Sequence, residues 1–290
     1  MHRQKGFTGK SKRRFGKKSK ILEIRPGADP KLKKVFSSIG IPEKGTFQPD
    51  TFQLQALSAI DRTDCLVTAP TGSGKTWIAQ QAIARINAVG GKSWYASPLK
   101  ALTNSKYDEF SRIFGPQNVG ILTGDRKENP DAPIITGTAE ILRNQLYDAM
   151  HLGETLRTDL VILDEAHFLG DGDRGVVWEE IMIYLPPRIP LLMLSATIGN
   201  AEEIAEWLAS IRSKKCVIVE EKKRPVPLFP LFFHPSGKLF PLLMLGVSKE
   251  SKKLNKDVKE YLGRSHPPLI SYSRKFPPFG DILRVLKKYK

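Results

Sequence analysis

A chain of 290 residues, 40% apolar and 26% charged, has enough apolar content for one or two packed domains. No apolar run reaches the roughly 18 residues of a membrane helix, and no apolar core follows the basic N-terminus as a secretory signal requires. Two cysteines, Cys65 and Cys216, are too few for a disulfide framework, so a reduced, cytoplasmic protein without a membrane partner is expected.

The net charge of +16 is unevenly spread. Residues 1–34 carry 13 Lys and Arg against 2 acidic residues, residues 35–221 carry 17 against 24, and residues 222–290 carry 16 against 4. A mildly acidic block therefore lies between two basic flanks. Net basicity points to nucleic acid only for the flanks, and the block is judged on its motifs.

In chain order, residues 1–34 read as a basic arm. Met1–Lys20 has no period and many like charges, as in a disordered segment. It is either a phosphate-binding arm or a solvated tail. From Phe47 to Glu221, short apolar runs alternate with amphipathic stretches. The strand candidates are 65–67, 93–96, 119–122, 133–135, 160–163, 191–194 and 217–219, and their continuous apolarity suits strands covered on both faces. Helical spacing is expected over 76–86, with Ile78, Ala79, Ala82, Ile83 and Ile86 on one face. It is also expected over 200–211, where Asn200 and Glu203 are spaced as a capping box. Alternating strands and helices predict an α/β fold, a parallel sheet with helices on both faces.

The loop Ala69-Pro70-Thr71-Gly72-Ser73-Gly74-Lys75-Thr76 follows a strand and opens a helix. Gly72 and Gly74 let backbone N–H groups approach phosphates, Lys75 is a compact charge for the β- and γ-phosphates, and the Thr76 hydroxyl suits Mg²⁺. Thr71 and Ser73 complete this cofactor-binding loop. The run Leu160–Leu163 leads into Asp164-Glu165-Ala166-His167. Alone, an Asp-Glu pair at a strand end is equally a solvated loop. Joined to the phosphate loop, Asp164 suits a metal ion, and Glu165 suits orienting and deprotonating a water for phosphoryl transfer. His167 would link this loop to a neighbouring strand end. That neighbour is expected to be Ser195-Ala196-Thr197, whose Ser195 and Thr197 hydroxyls suit coupling, or equally a simple capping turn. Ser97, Lys100, Thr123, Gly124 and Thr138 offer hydroxyls, backbone N–H groups and a lysine of the kind that read phosphates rather than bases. Trp178 belongs to a helix with Val177, Ile181 and Leu185 at helical spacing, so it is expected to pack rather than bind.

The order Gly-Ser-Gly-Lys-Thr, Asp-Glu-Ala-His, Ser-Ala-Thr resembles the first RecA-like P-loop NTPase domain of a superfamily-two helicase. Tyr95–Leu102 resembles its Ia motif, and Leu122–Asp125 its Ib region. Gly137–Arg143 resembles its Thr-Thr-Glu-Ile-Leu element, with Ala139 in place of a threonine. Asp173–Glu180 and Lys223–Leu228 are similar to stretches of the superkiller-like, exosome-associated DExH-box RNA helicases. The likeness covers about residues 47–228. It implies ATP and Mg²⁺ as cofactors, with Lys75, Asp164, Glu165 and His167 in catalysis and Thr76 and Asp164 on the metal. It also implies that Ser97, Pro98, Lys100, Thr123, Gly124 and Thr138 contact a nucleic-acid backbone. Phe47 and Gln53, in the pattern Phe-x-x-Asp-x-Phe-Gln, would stack on and read adenine. Implied partners are single-stranded nucleic acid, RNA preferred, a second RecA-like domain, and RNA-degradation machinery. A DNA repair helicase and a truncated regulatory RNA-binding protein are the alternatives.

The expected domains are an arm at 1–34, the ATP-binding domain at 35–228 and a basic linker at 229–290. The linker recurs in proline, with some strand content and a short helix at 281–289. No second set of motifs follows residue 228. A fragment or a truncated homologue is therefore expected, lacking the arginine fingers of the second domain.

Overall fold

The computed structural model describes residues 27–28, 48–172, 175–225, 228, 230–233, 238–243 and 254–262. The chain divides into two units, Gly45–Val226 and, separately, Met1–Lys44 with Pro227–Lys290. Phe47, the first twenty residues and the helix expected at 281–289 lie outside the described residues.

The larger unit is one eight-stranded sheet. Its strands are β1 (Asp64–Thr68), β2 (Ser93–Ser97), β3 (Val119–Leu122), β4 (Lys127–Glu128), β5 (Ile134–Thr138), β6 (Leu160–Leu163), β7 (Leu191–Ser195) and β8 (Cys216–Glu220). They lie in the order β4-β3-β5-β2-β6-β7-β1-β8. All pairings are parallel except that of β3 with β4. All seven expected strands are present, most of them a residue or more longer. The addition is β4, two exposed charged residues with no apolar pattern to read.

Six helices, α1 (Thr51–Ile60), α2 (Lys75–Ala88), α3 (Lys100–Phe114), α4 (Ala139–His151), α5 (Gly175–Tyr184) and α6 (Ala201–Arg212), cover both faces. Because side chains alternate along each strand, the apolar runs feed two cores. Cys65, Val67, Tyr95, Ile162, Leu192 and Leu194 pack with Phe52, Leu57, Ile78, Ile83 and Phe110 of α1, α2 and α3. Leu66, Trp94, Val161, Leu163 and Met193 pack with Leu142, Leu146, Trp178, Ile181 and Leu208 of α4, α5 and α6. Trp178 is 1% exposed and belongs to this second core, as its spacing predicts.

The expected box at Asn200 does not form. Asn200 holds the N-cap position at φ −118 and ψ 34, without a side-chain capping bond. That backbone lies outside the extended region that aims a cap side chain at the first turn. Glu202 and Glu203 in that turn complement the helix dipole instead. At the amino end of the sheet, fully buried Asp64 accepts from Arg212 Nε at 2.7 Å and from the Leu191 N–H at 2.9 Å. Arg212 also donates to the Leu185 and Ile189 carbonyls at 2.6 and 2.8 Å.

In the second unit, Leu231–Phe233 pairs antiparallel with Lys238–Pro241, which pairs in parallel with Gly27–Ala28. A helix spans Lys256–Leu262. Gly27 and Ala28 thus leave the expected unstructured arm. They lie past its charge run and carry no charge to oppose pairing. Among the described residues no helix is long and apolar enough to cross a membrane.

Candidate nucleotide and nucleic-acid sites

In an open α/β sheet, ligands bind beyond the carboxyl ends of the strands. Here that edge carries the phosphate loop, the Asp-Glu-Ala-His turn, Ser195 and the candidate nucleic-acid residues, sorted into two halves. The phosphate loop follows β1, Ser195 ends β7 and Asp164 follows β6, three neighbouring strands. Ser97 ends β2, Thr123 follows β3 and Thr138 ends β5, three more neighbours. Ser97 and Thr138 are register partners.

The phosphate loop turns between β1 and α2 through Gly72 at φ 85 and Gly74 at φ 84. Gly74 is the left-handed N-cap of α2, so the helix's first N–H groups and positive dipole end face the loop. A side chain at 74 would place its Cβ 2.5 Å from Gln53 Nε2. The Gln53 amide donates to the Ser73 and Gly74 carbonyls at 3.3 and 3.2 Å and accepts the Asp50 N–H at 2.9 Å. At 2% exposure, Gln53 is a strut of the loop, its amide engaged by protein rather than open to a base edge. Exposed Thr71 accepts from Arg224 Nη1 at 3.4 Å through its carbonyl. The Ser73 hydroxyl is buried without a partner.

Lys75 Nζ donates to the Ala69 and Pro70 carbonyls at 2.7 and 3.2 Å. Burial lowers its pKa, opposed by the charges of Glu165 and Asp164 and reinforced by Arg224. Those four groups therefore share one electrostatic neighbourhood. Thr76 Oγ1 accepts from Lys106 Nζ at 2.9 Å.

Across β7, Asp164 accepts the Tyr95 hydroxyl at Oδ2 and the Glu165 N–H at Oδ1, at 2.5 and 3.0 Å. Glu165 is left-handed, φ 54 and ψ 43, one of three non-glycine residues at positive φ among those described. His167 Nδ1 lies 3.3 Å from Glu165 Oε2. Its Nδ1 faces Glu165, and it makes no bond to the Ser195 hydroxyl at the strand end it was expected to reach, although it lines a cavity with Ile198 and Asn200 just past that end. The Ser195 hydroxyl is buried and unpartnered, and Thr197 is exposed. What joins this strand to the phosphate loop is backbone, Ala69 N–H to the Ser195 carbonyl at 3.1 Å.

In the other half, Lys100 and Gly124 are exposed, and Lys100 Nζ lies 3.1 Å from Asp125. Ser97 departs from its expected role at a phosphate. It is fully buried, and its hydroxyl bonds Thr103 Oγ1 at 2.6 Å, bracing the first turn of α3. Pro98 and Thr138 are buried as well. Thr123 is 8% exposed, and its hydroxyl is used inside a turn with Asp125 and Arg126. Sequence reading missed Tyr95, Lys106 and Arg224. A hydroxylated aromatic amid a buried strand was the signal for Tyr95, and Arg224 lay in the Lys223–Leu228 stretch already singled out; Lys106 had no local signal.

The sequence model of the DEAD/DEAH box helicase family matches residues 50–204, more than half of the chain. The chain is 45% identical over 202 residues to the chloroplastic DExH-box ATP-dependent RNA helicase DExH15 of Arabidopsis thaliana, covering 68% of this chain and 17% of that protein. It is 40% identical over 203 residues to superkiller complex protein 2 of Homo sapiens, covering 68% and 16%. It is 42% identical over 183 residues to antiviral helicase SKI2 of Saccharomyces cerevisiae, covering 63% and 14%. The chain thus spans less than a fifth of the length of these curated relatives. Among solved structures, the DUF1998 helicase MrfA bound to DNA aligns with a TM-score of 0.50 at 19% identity, covering 69% of this chain and 31% of that one. That likeness is one of fold, a mostly parallel sheet between helices. With the phosphate loop and the Asp-Glu-Ala-His turn on one sheet edge and the family match running through both, this chain belongs to the DEAD/DEAH box helicases.

Proposed function

We propose that residues 35–228 form the ATP-binding half of an ATP-dependent RNA helicase, acting on the backbone of single-stranded RNA. The reading rests most on one observation. Lys75 opens α2 after β1, and Asp164 and Glu165 follow β6, with only β7 between those two strands, so all three lie at one carboxyl edge of the sheet. The donor set fits a nucleotide phosphate with a divalent cation: one ammonium, a glycine-shaped loop at a helix N-terminus, a hydroxyl and two carboxylates.

Bound Mg²⁺ supplies charge neutralisation at the transferring phosphate. Thr76 and Asp164 are the residues that would hold it. Lys75 releases the Ala69 and Pro70 carbonyls and donates to phosphate oxygens. Glu165 orients the attacking water and takes its proton, aided by His167 at its Oε2. Exposed Lys100 and Gly124 meet the nucleic-acid backbone without reading bases. A second RecA-like domain supplies the cationic groups that close over the γ-phosphate, RNA-degradation machinery is the partner, and the name of one relative, an ATP-dependent RNA helicase, supports RNA as substrate.

Binding of a fluorescent ADP tests the site. Lys75→Ala should abolish it; unchanged affinity overturns the assignment. Matched RNA and DNA oligonucleotides, added to the chain joined to a second RecA-like domain, test the substrate. RNA should stimulate ATP turnover more strongly, and equal or stronger stimulation by DNA overturns that choice.

A further inference from the structure

Lys106 enters none of the motifs above. It sits on α3, the helix that begins at Lys100, with its side chain 16% exposed. Its ammonium donates to Thr76 Oγ1 and to Glu109 Oε2, each at 2.9 Å. The other Glu109 oxygen accepts from Gln80 Nε2 on α2 at 2.6 Å. The ammonium therefore has two acceptors, one of them the hydroxyl assigned to the metal ion.

A threonine hydroxyl has one donor and two lone pairs. Mg²⁺ requires ligand oxygens at about 2.0–2.1 Å in near-octahedral geometry. An ammonium on the same oxygen sets a positive charge beside a divalent one, and partial burial leaves that repulsion poorly screened. Glu109 offers the ammonium a place to stay once it leaves Oγ1. Gln80 keeps that carboxylate in position from the α2 side.

We propose that Lys106 competes with Mg²⁺ for Thr76 Oγ1. Metal binding shifts the ammonium onto Glu109 alone, and Lys106 sets how much Mg²⁺ the site needs. The inference rests on Thr76 being the metal ligand of the proposed ATP site. Lys106 is thus a positioning residue that acts through the metal-binding hydroxyl.

The test titrates Mg²⁺ against fluorescent ADP binding to the whole chain at constant ionic strength, with parallel titrations of ADP in EDTA. In Lys106→Met the half-saturating Mg²⁺ concentration should fall by roughly fivefold, the low end of usual couplings between two ligands. In Glu109→Gln, which weakens the alternative acceptor, it should rise. Lys106→Arg should stay near the unsubstituted chain. ADP affinity in EDTA should be the same for all. An unchanged or increased Mg²⁺ requirement in Lys106→Met overturns the proposal, as does a loss of EDTA-measured affinity, which would put Lys106 on the phosphate. If Lys106→Met does not fold, Glu109→Gln decides: a rise supports the competition and no rise overturns it. Absence of ADP binding to the unsubstituted chain overturns the ATP site as well, and so separates the two failures.

Discussion

The buried Tyr95 hydroxyl donates to Asp164 Oδ2 at 2.5 Å, fixing the carboxylate that ends β6 from the neighbouring strand β2. Because Glu165 N–H holds the other oxygen, Asp164 is oriented by protein on both sides. Burial, then the adjacent Asp164 charge, push the Tyr95 pKa well above 10, so the phenol keeps its proton and remains a donor. Tyr95→Phe should leave the fold intact and cost about 1.5–3 kcal/mol, the usual range for a hydrogen bond to a charged group. Urea unfolding measures that loss, and Mg²⁺-dependent ADP binding should weaken in parallel. A variant as stable as the unsubstituted chain would remove this hydrogen bond from the account.

Gly72 and Gly74 share a left-handed backbone but not surroundings. A Cβ at 72 meets nothing within 4 Å, whereas one at 74 meets the strapped Gln53 amide. Gly72→Ala should cost about 1–2 kcal/mol, the left-handed penalty alone. Gly74→Ala should cost a further ~1–3 kcal/mol by breaking buried Gln53 hydrogen bonds, and should lose ADP binding. Equal melting temperatures for the two variants would contradict this.

These contrasts mark how far the sequence could be read. The strands and the helix at 75–88 were legible because each apolar run carries its own period, and the phosphate loop because Gly-Ser-Gly-Lys-Thr is local. The partners of Ser97, Gln53 and His167 were not: Gln53 depends on residues about twenty positions on, and Ser97 and His167 on how α3 and the turn after β6 fold back on near neighbours. The Ser97 hydroxyl looks like a surface donor until α3 folds over it and Thr103 takes it. Gln53 and Gly74 are 21 residues apart in sequence, and nothing local to either states that one excludes a side chain on the other. The expected cap at Asn200 failed for the converse reason, a local pattern overridden by the backbone that the chain adopts on leaving β7.

The Asp64–Arg212 pair should be among the more costly to break. Both side chains are essentially fully buried, and Arg212 also holds two carbonyls at the turn before β7. Asp64→Ala leaves an unpaired buried guanidinium and should cost about 3–5 kcal/mol. The urea midpoint should drop with an unchanged slope. Replacing both residues with apolar ones should recover part of the loss.

Burial raises the pKa of both thiols, Cys65 and Cys216, from 9.0 to about 12. A group whose folded pKa is raised contributes its stability fully below the unfolded value and loses it as pH climbs toward the folded one. Stability should therefore decline from about pH 9 upward, and the decline should lessen in Cys65→Ala/Cys216→Ala once measured against that variant's own baseline. In the native chain at pH 8, both thiols should resist a thiol reagent and react only on unfolding.

Glu165 holds a left-handed backbone at φ 54, which costs a non-glycine residue about 1–2 kcal/mol. Glycine would adopt that geometry without strain, and asparagine with less of it. A library selected only for soluble, folded protein should therefore drift toward those residues at position 165 and discard the carboxylate. The chain sits below its own stability optimum at the residue that the proposed chemistry most requires.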